Sequence, residues 1–230
     1  RPWLRSDASF MNLTDTGLRP DARPDLTRPD AGLVLASLWH TEGPERQRRV
    51  MSGVMDAWEK TRLPPAYLAR HCLEGSDGRT VLNFAQWTSP AAHRAFAADP
   101  GNQQTLGLAV QALYSADPPG RYVPCRVVRR RAGSAGFFTV RWYDTEDAGA
   151  GRSLADELAA RPATAGGPAP VVEQFSVAED GRRLLVLAGF TAEPGGTGPW
   201  FRPFRGLVRV AARGARGGSP AGLPGQEGRA

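Results

Sequence analysis

Asp77-Gly78-Arg79-Thr80-Val81-Leu82-Asn83-Phe84-Ala85-Gln86-Trp87-Thr88 reads as a tight turn feeding a strand. Asp-Gly is hairpin turn chemistry, because Gly supplies the positive φ that the turn needs. Side chains then alternate between faces. Val81, Asn83, Ala85 and Trp87 share one face; Leu82, Phe84 and Gln86 share the other. A worn copy stands 103 positions later, from Asp180-Gly181-Arg182 through Leu184, Ala188 and Thr191. Asn83 and Trp87 have become Val186 and Phe190 there. The chain therefore reads as one unit used twice, with the polar residues kept in one copy.

Upstream of the turn, 33–40 is an apolar run of strand length, and 67–73 is a second. Between them, Val50, Met51, Val54, Met55 and Trp58 fall on one helical face, and Leu63-Pro64-Pro65 stops the helix. Downstream, Ser89-Pro90 is a cap with Pro at the first helical position. That helix breaks at Asp99-Pro100 and is expected to resume from Asn102 to Tyr114, before a last strand over 122–130. In the second copy, strands are expected over 137–143, 171–177, 183–190 and 207–210, with Trp142 falling 103 after Trp39. A capping box at Ser153 and Asp156 would open its helix, with Leu154 and Leu158 facing inward. Only 14 residues separate Thr191 from Gly206, against 34 between Thr88 and Val123, so the second helix of copy two is expected to be missing. The fold class is α+β: two ferredoxin-like βαββαβ units whose open apolar sheet faces can cover each other as an internal pseudo-dimer. The boundaries read as a flexible N-terminal arm or strap over 1–30, a first unit over 31–131, a degenerate second unit over 135–210 and a disordered tail over 211–230.

The chain has 230 residues and a net charge of +6, but its basic residues are almost all Arg, with Lys60 the single Lys, within an Ala-, Gly- and Pro-rich composition typical of GC-rich genes. The charge is scattered and no recognition motif accompanies it, so no nucleic-acid partner is expected. No apolar run is long enough to span a bilayer, and no signal-peptide core follows Arg1-Pro2-Trp3. A cytoplasmic protein without a membrane partner is expected. Cys72 and Cys125 have no metal spacing and sit in apolar runs, which predicts buried thiols. His40, His71 and His93 have no metal-ligand spacing either, and no metal site is expected.

Asn83 and Trp87 lie about 13 Å apart along their strand, with the small Ala85 leaving room between them. They form a pocket wall with two N–H donors, or else a core Trp and an Asn bonded to backbone. His93 opens the following helix, where a neutral imidazole would serve as a base, or it is a surface residue. His71 is the other candidate base. Trp39, Trp58, Tyr67, Phe96 and Tyr114 line an aromatic cavity or simply fill the core.

Asp77-Gly78, then Val81 through Trp87, then Ala92-His93-Arg94-Ala95-Phe96 together resemble the signature of antibiotic biosynthesis monooxygenase domains. The resemblance covers residues 31–130, and 135–210 match the fold pattern alone. It implies a dimeric ferredoxin-like barrel that oxidises aromatic polyketides such as anthrones, with molecular oxygen as co-substrate and no cofactor. Asn83 and Trp87 would then hold the substrate's oxygens. Quinone-forming members carry a Tyr where this chain has His93 and a His where it has Leu73, with His71 two residues further back as a substitute. The haem-degrading branch uses a His where this chain has Ala97. The expected partner is an aromatic polyketide small molecule, and the expected state is an internal pseudo-dimer, monomer or weak homodimer. Alternatives on the same fold are a polyketide cyclase and a non-catalytic binding or accessory protein.

Overall fold

Gly78 and Gly181 take φ of +67° and +76°, where a side chain would be strained, and each turns a hairpin. In each turn the Asp accepts backbone N–H bonds: Asp77 from Arg79 and Thr80, Asp180 from Arg182. The computed structural model describes residues 17–108, 115–116, 120–162, 168–196 and 198–210. Their elements are β1 (Leu18–Pro20), β2 (Leu33–His40), α1 (Pro44–Glu59), β3 (Tyr67–Gly75), β4 (Thr80–Trp87), α2 (Pro90–Ala97), α3 (Pro100–Leu108), β5 (Ser115–Ala116), β6 (Gly120–Arg129), β7 (Phe137–Asp144), α4 (Ala148–Ala160), β8 (Val172–Ala178), β9 (Arg183–Phe190) and β10 (Phe201–Arg209).

The first half orders its strands β3-β4-β2-β6 and the second β8-β9-β7, all antiparallel, which is ferredoxin-like strand order. The halves exchange their last strands. β6 of the first half pairs along β8, and β10 of the second pairs along β3. β10 also touches β7 through Phe201 and Phe138. Tyr67 Oη on β3 donates to the Leu207 carbonyl at 2.7 Å, fastening this exchange from inside the core.

Three cores result. One lies between the first-half sheet and its helices, where α1 presents Val50, Met51, Val54, Met55 and Trp58. The second lies between the halves, with Leu82 and Phe84 from one and Leu185 and Leu187 from the other. The third lies under α4. Gln47 on α1 is wholly buried and donates to the carbonyls of Gly75 and Thr80, tying helix to hairpin.

Several expectations need correction. Residues 17–32 form a packed strap: β1 pairs β10, Leu26 is 2% exposed within the inter-half core, and Gln86 and Gln174 donate to the Asp25 and Leu26 carbonyls. Of the two readings of 1–30, arm or strap, the described residues 17–30 take the strap, whose short strand is hidden in the sequence by Pro, Asp and Arg. The helix of the second half opens at Asp147, whose side chain accepts from Ala150 N at 2.9 Å; Ser153 is exposed inside it. Leu154 and Leu158 do pack inward. Trp142 points into the inter-half core and donates to Tyr122 Oη at 2.9 Å. The residue in register with Trp39 is Tyr143, since Trp39 pairs Val81 and Tyr143 pairs Leu184. Cys72 is buried as expected, but Cys125 is exposed, on the outer side of a bulged β6. Helix α3 ends at Leu108, and Tyr114 lies outside the described residues. Between Phe190 and Phe201 no helix occurs among the described residues. No helix among them is long and apolar enough to cross a membrane.

Candidate functional site

Three cross-strand rows build the helix-facing surface of the first-half sheet. Ser37, Asn83 and Cys72 form one; Leu35, Ala85 and Arg70 the next; Leu33, Trp87 and Tyr67 the third. Ala85 is small where Arg70 lies beside it, which leaves room for the guanidinium. Arg70 Cζ stands 4.4 Å from the Trp58 ring and 5.6 Å from Trp39, a double cation–π contact. The sequence reading missed Arg70, because a β-bulge between Tyr67 and Ala69 changes the parity of β3. The turn-proximal register was the only signal that could have recovered it.

Trp87 is wholly buried, and its indole N–H has no hydrogen-bond partner. Its ring is surrounded by Phe96 at 5.0 Å, His93 at 5.1 Å and Tyr67 at 5.5 Å. Trp58 stacks on Tyr67 and contacts Phe96. Asn83 is 3% exposed; its Nδ2 donates to Ser37 Oγ at 3.2 Å, and its Oδ1 lacks a partner. Ser37 Oγ also accepts from Trp39 Nε1 at 3.1 Å. Asn83 is thus bonded to a side chain and not to backbone. A buried polar atom left unpaired costs about 1–3 kcal/mol, so Trp87 Nε1 and Asn83 Oδ1, on one face with the Ala85 row between them, mark where a ligand would be favoured.

Helix α2 brings His93 to this cluster. Ser89 caps the helix by accepting from Ala92 N at 3.2 Å. Burial first, then the Arg121 guanidinium, lowers the His93 pKa to about 4, with Arg70 and Arg94 acting the same way and Glu179 opposing. Its imidazole is neutral at pH 7, and Nδ1 is buried without a partner. Glu179, from the second half, pairs with Arg94 on α2 at 2.9 Å and with Arg121 at 2.6 Å.

Asn83, Trp87, His93, Trp39, Trp58, Tyr67 and Phe96 therefore share one face. Trp39 and Tyr67 have their polar atoms committed to Ser37 and Leu207. His71 is not among them. It pairs with Phe84 on the opposite face, stacks on that ring and lies against Gly206. A Cβ on Gly206 would stand 2.3 Å from His71 Nδ1 and 2.1 Å from the Asp21 carbonyl. Burial lowers the His71 pKa to about 4. Among the described residues no cluster of three His, Cys, Asp or Glu side chains could hold a metal.

No family model matches the chain, and no curated protein matches it. Among solved structures it is similar to an anthrone oxidase-like protein at 16% identity and a TM-score of 0.51, over 80% of this chain and 93% of that one. At that identity the two share a fold. It also matches the ActVA-Orf6 monooxygenase of Streptomyces coelicolor, solved with nanaomycin D, at 28% identity and a TM-score of 0.35, over 43% of this chain and 89% of that one. SnoaB, a cofactor-independent oxygenase from Streptomyces nogalater, matches at 19% identity and a TM-score of 0.34, over 42% and 95%.

Proposed function

We propose that the chain is a tandem, pseudo-dimeric α/β barrel whose first half oxidises an electron-rich aromatic polyketide, an anthrone or phenol, with molecular oxygen and no cofactor. The observation that carries this reading is the buried, unpartnered Trp87 indole N–H set in an aromatic wall beside a neutral His93.

The aromatic ring lies against Trp58, Tyr67 and Phe96, with its oxygen accepting from Trp87 Nε1 and facing Asn83. His93 takes the proton but is a weak base. A phenol-like group ionises near 10, so transfer to an imidazole of pKa about 4 is uphill by about 8 kcal/mol. Arg70 supplies most of the compensation. A cation about 4 Å from the developing anion is worth about 4 kcal/mol at an effective dielectric of 20. A hydrogen bond to the anion adds about 1.5–3 kcal/mol. These terms act on the anion and not on the neutral ring, which is what accelerates a reaction. The anion passes one electron to O₂, and the radical pair combines to a hydroperoxide on carbon. Loss of water from it leaves a carbonyl, with one oxygen atom in the quinone and the other in water along with the two hydrogens of the former CH₂.

Oxygen uptake with anthrone, followed by product mass, tests the proposal. A gain of oxygen with loss of two hydrogens is expected. A product that has lost water without gaining oxygen would identify a cyclase instead, and saturable binding without turnover a carrier.

A further inference from the structure

The second half holds a cavity of about 580 Å³ on the face that corresponds to the candidate site. Its floor is Phe175, Val186, Ala188 and Phe190, from β8 and β9. It is open because no helix occurs among the described residues of 191–200, where the first half is covered by α2 and α3. Its size falls in the range of small-molecule sites, about 300–1,000 Å³.

Charge around this floor is one-sided. Arg130 and Glu173 neutralise each other at 2.6 Å, with both side chains largely buried. Arg161 is held from outside by Glu157 on the exposed flank of α4. Arg141, on β7 beside Val186, lines the cavity and has no ion-pair partner among the described residues. A planar apolar floor with an uncommitted guanidinium at its edge suits a flat ring that carries a carboxylate, since a guanidinium fork matches a carboxylate in two hydrogen bonds.

We infer that the second half carries a separate binding site for an aromatic carboxylate, seated on Val186, Ala188 and Phe190 with its anionic group on Arg141. The site binds without turning over, since its lining residues include no Trp, no Asn and no His to match Trp87, Asn83 and His93. It stands whether or not the first half is an oxygenase.

Fluorescence titration of the full chain with 9-anthracenecarboxylate and with neutral 9-anthracenemethanol tests this. Saturable binding of the carboxylate is expected, with the neutral analogue about tenfold weaker. Arg141→Gln, an exposed position that spares the fold, should weaken the carboxylate about tenfold and leave the alcohol unchanged. Ala188→Trp should abolish binding of both by filling the floor. The Asn83→Ala, Trp87→Phe double variant should retain the Arg141-dependent binding. The inference is overturned if the two probes bind equally, if Arg141→Gln changes nothing, or if binding disappears in the double variant, which would place the probe in the first half.

Discussion

The two halves lay the same strands in the same order but furnish them oppositely. Row by row, Ser37, Asn83 and Cys72 in the first half correspond to Arg141, Val186 and Phe175 in the second. Leu35, Ala85 and Arg70 correspond to Thr139, Ala188 and Glu173. The first half buries its cation among indoles beside Asn83; the second neutralises the equivalent strand with a Glu and moves its free cation across to β7. The small residue at the centre, Ala85 or Ala188, is the same. The same strands thus keep a small central residue in both halves, while the hydrogen-bonding residues around it differ.

The most severe challenge to this comparison is the double substitution Asn83→Ala, Trp87→Phe. Removing transition-state donors typically costs 10²–10³ in rate, and a loss of that size in anthrone-dependent oxygen uptake is expected, while Phe190→Leu should change it less than twofold. An unchanged rate in the double variant would sink the site; an equal loss in Phe190→Leu would erase the contrast between the halves. The inter-half core offers a second test, since Gln174 stands where His71 does. His71 binds its proton near pH 6.5 when unfolded and near 4 when folded, so the unfolded state is favoured by acid. Stability is fully present above pH 6.5, and about 3 kcal/mol of it is lost as pH falls to 4. Urea denaturation at pH 7 and pH 4.5 should show this in the parent chain and a flatter dependence in His71→Gln, which gives the first half the second half's residue. Arg70→Gln is expected to lower turnover about 10- to 100-fold, with the larger loss for less acidic phenols, whereas Arg141→Gln leaves turnover alone. A rate independent of substrate acidity in Arg70→Gln would remove its electrostatic role. The smallest effect belongs to Glu179→Gln. Its pairs with Arg94 and Arg121 are partly exposed, so stability should fall by no more than about 1 kcal/mol, and a loss well beyond that in thermal denaturation would mean that α2 depends on the second half.

The sheet was legible because its signals are local. Alternation along β4, the Asp-Gly turns and the Pro stops each act over a few residues, and they gave strand order through the doubled pattern. That no helix occurs among the described residues between β9 and β10 matches what loop length alone led one to expect. Side-chain placement on β3 and β7 was less legible for one reason, register. The turn phase puts Arg70 and Cys72 on the site face and His71 on the other, the bulge before Ala69 brings Tyr67, of His71's parity, onto the site face as well, and the equivalence of Trp39 with Tyr143, not Trp142, required the β7–β9 pairing. A one-residue slip exchanges every face, and no spacing rule in the sequence records it. Asn83 and Trp87 were legible because they lie on the strand whose phase the turn fixes.

The exchange of last strands has a further consequence, for how the molecule comes into being. The strand that covers the outer edge of β3 is β10, among the last described residues of the chain, and Tyr67 finds its hydroxyl partner only at Leu207. During synthesis the first half emerges with an apolar edge that waits on well over a hundred further residues. Pairings so distant in sequence slow folding, and an uncovered strand edge invites pairing with a neighbouring chain. The half that carries the candidate chemistry is thus made first and finished last, and when produced alone it should seek a second copy of itself to replace the strand it lacks.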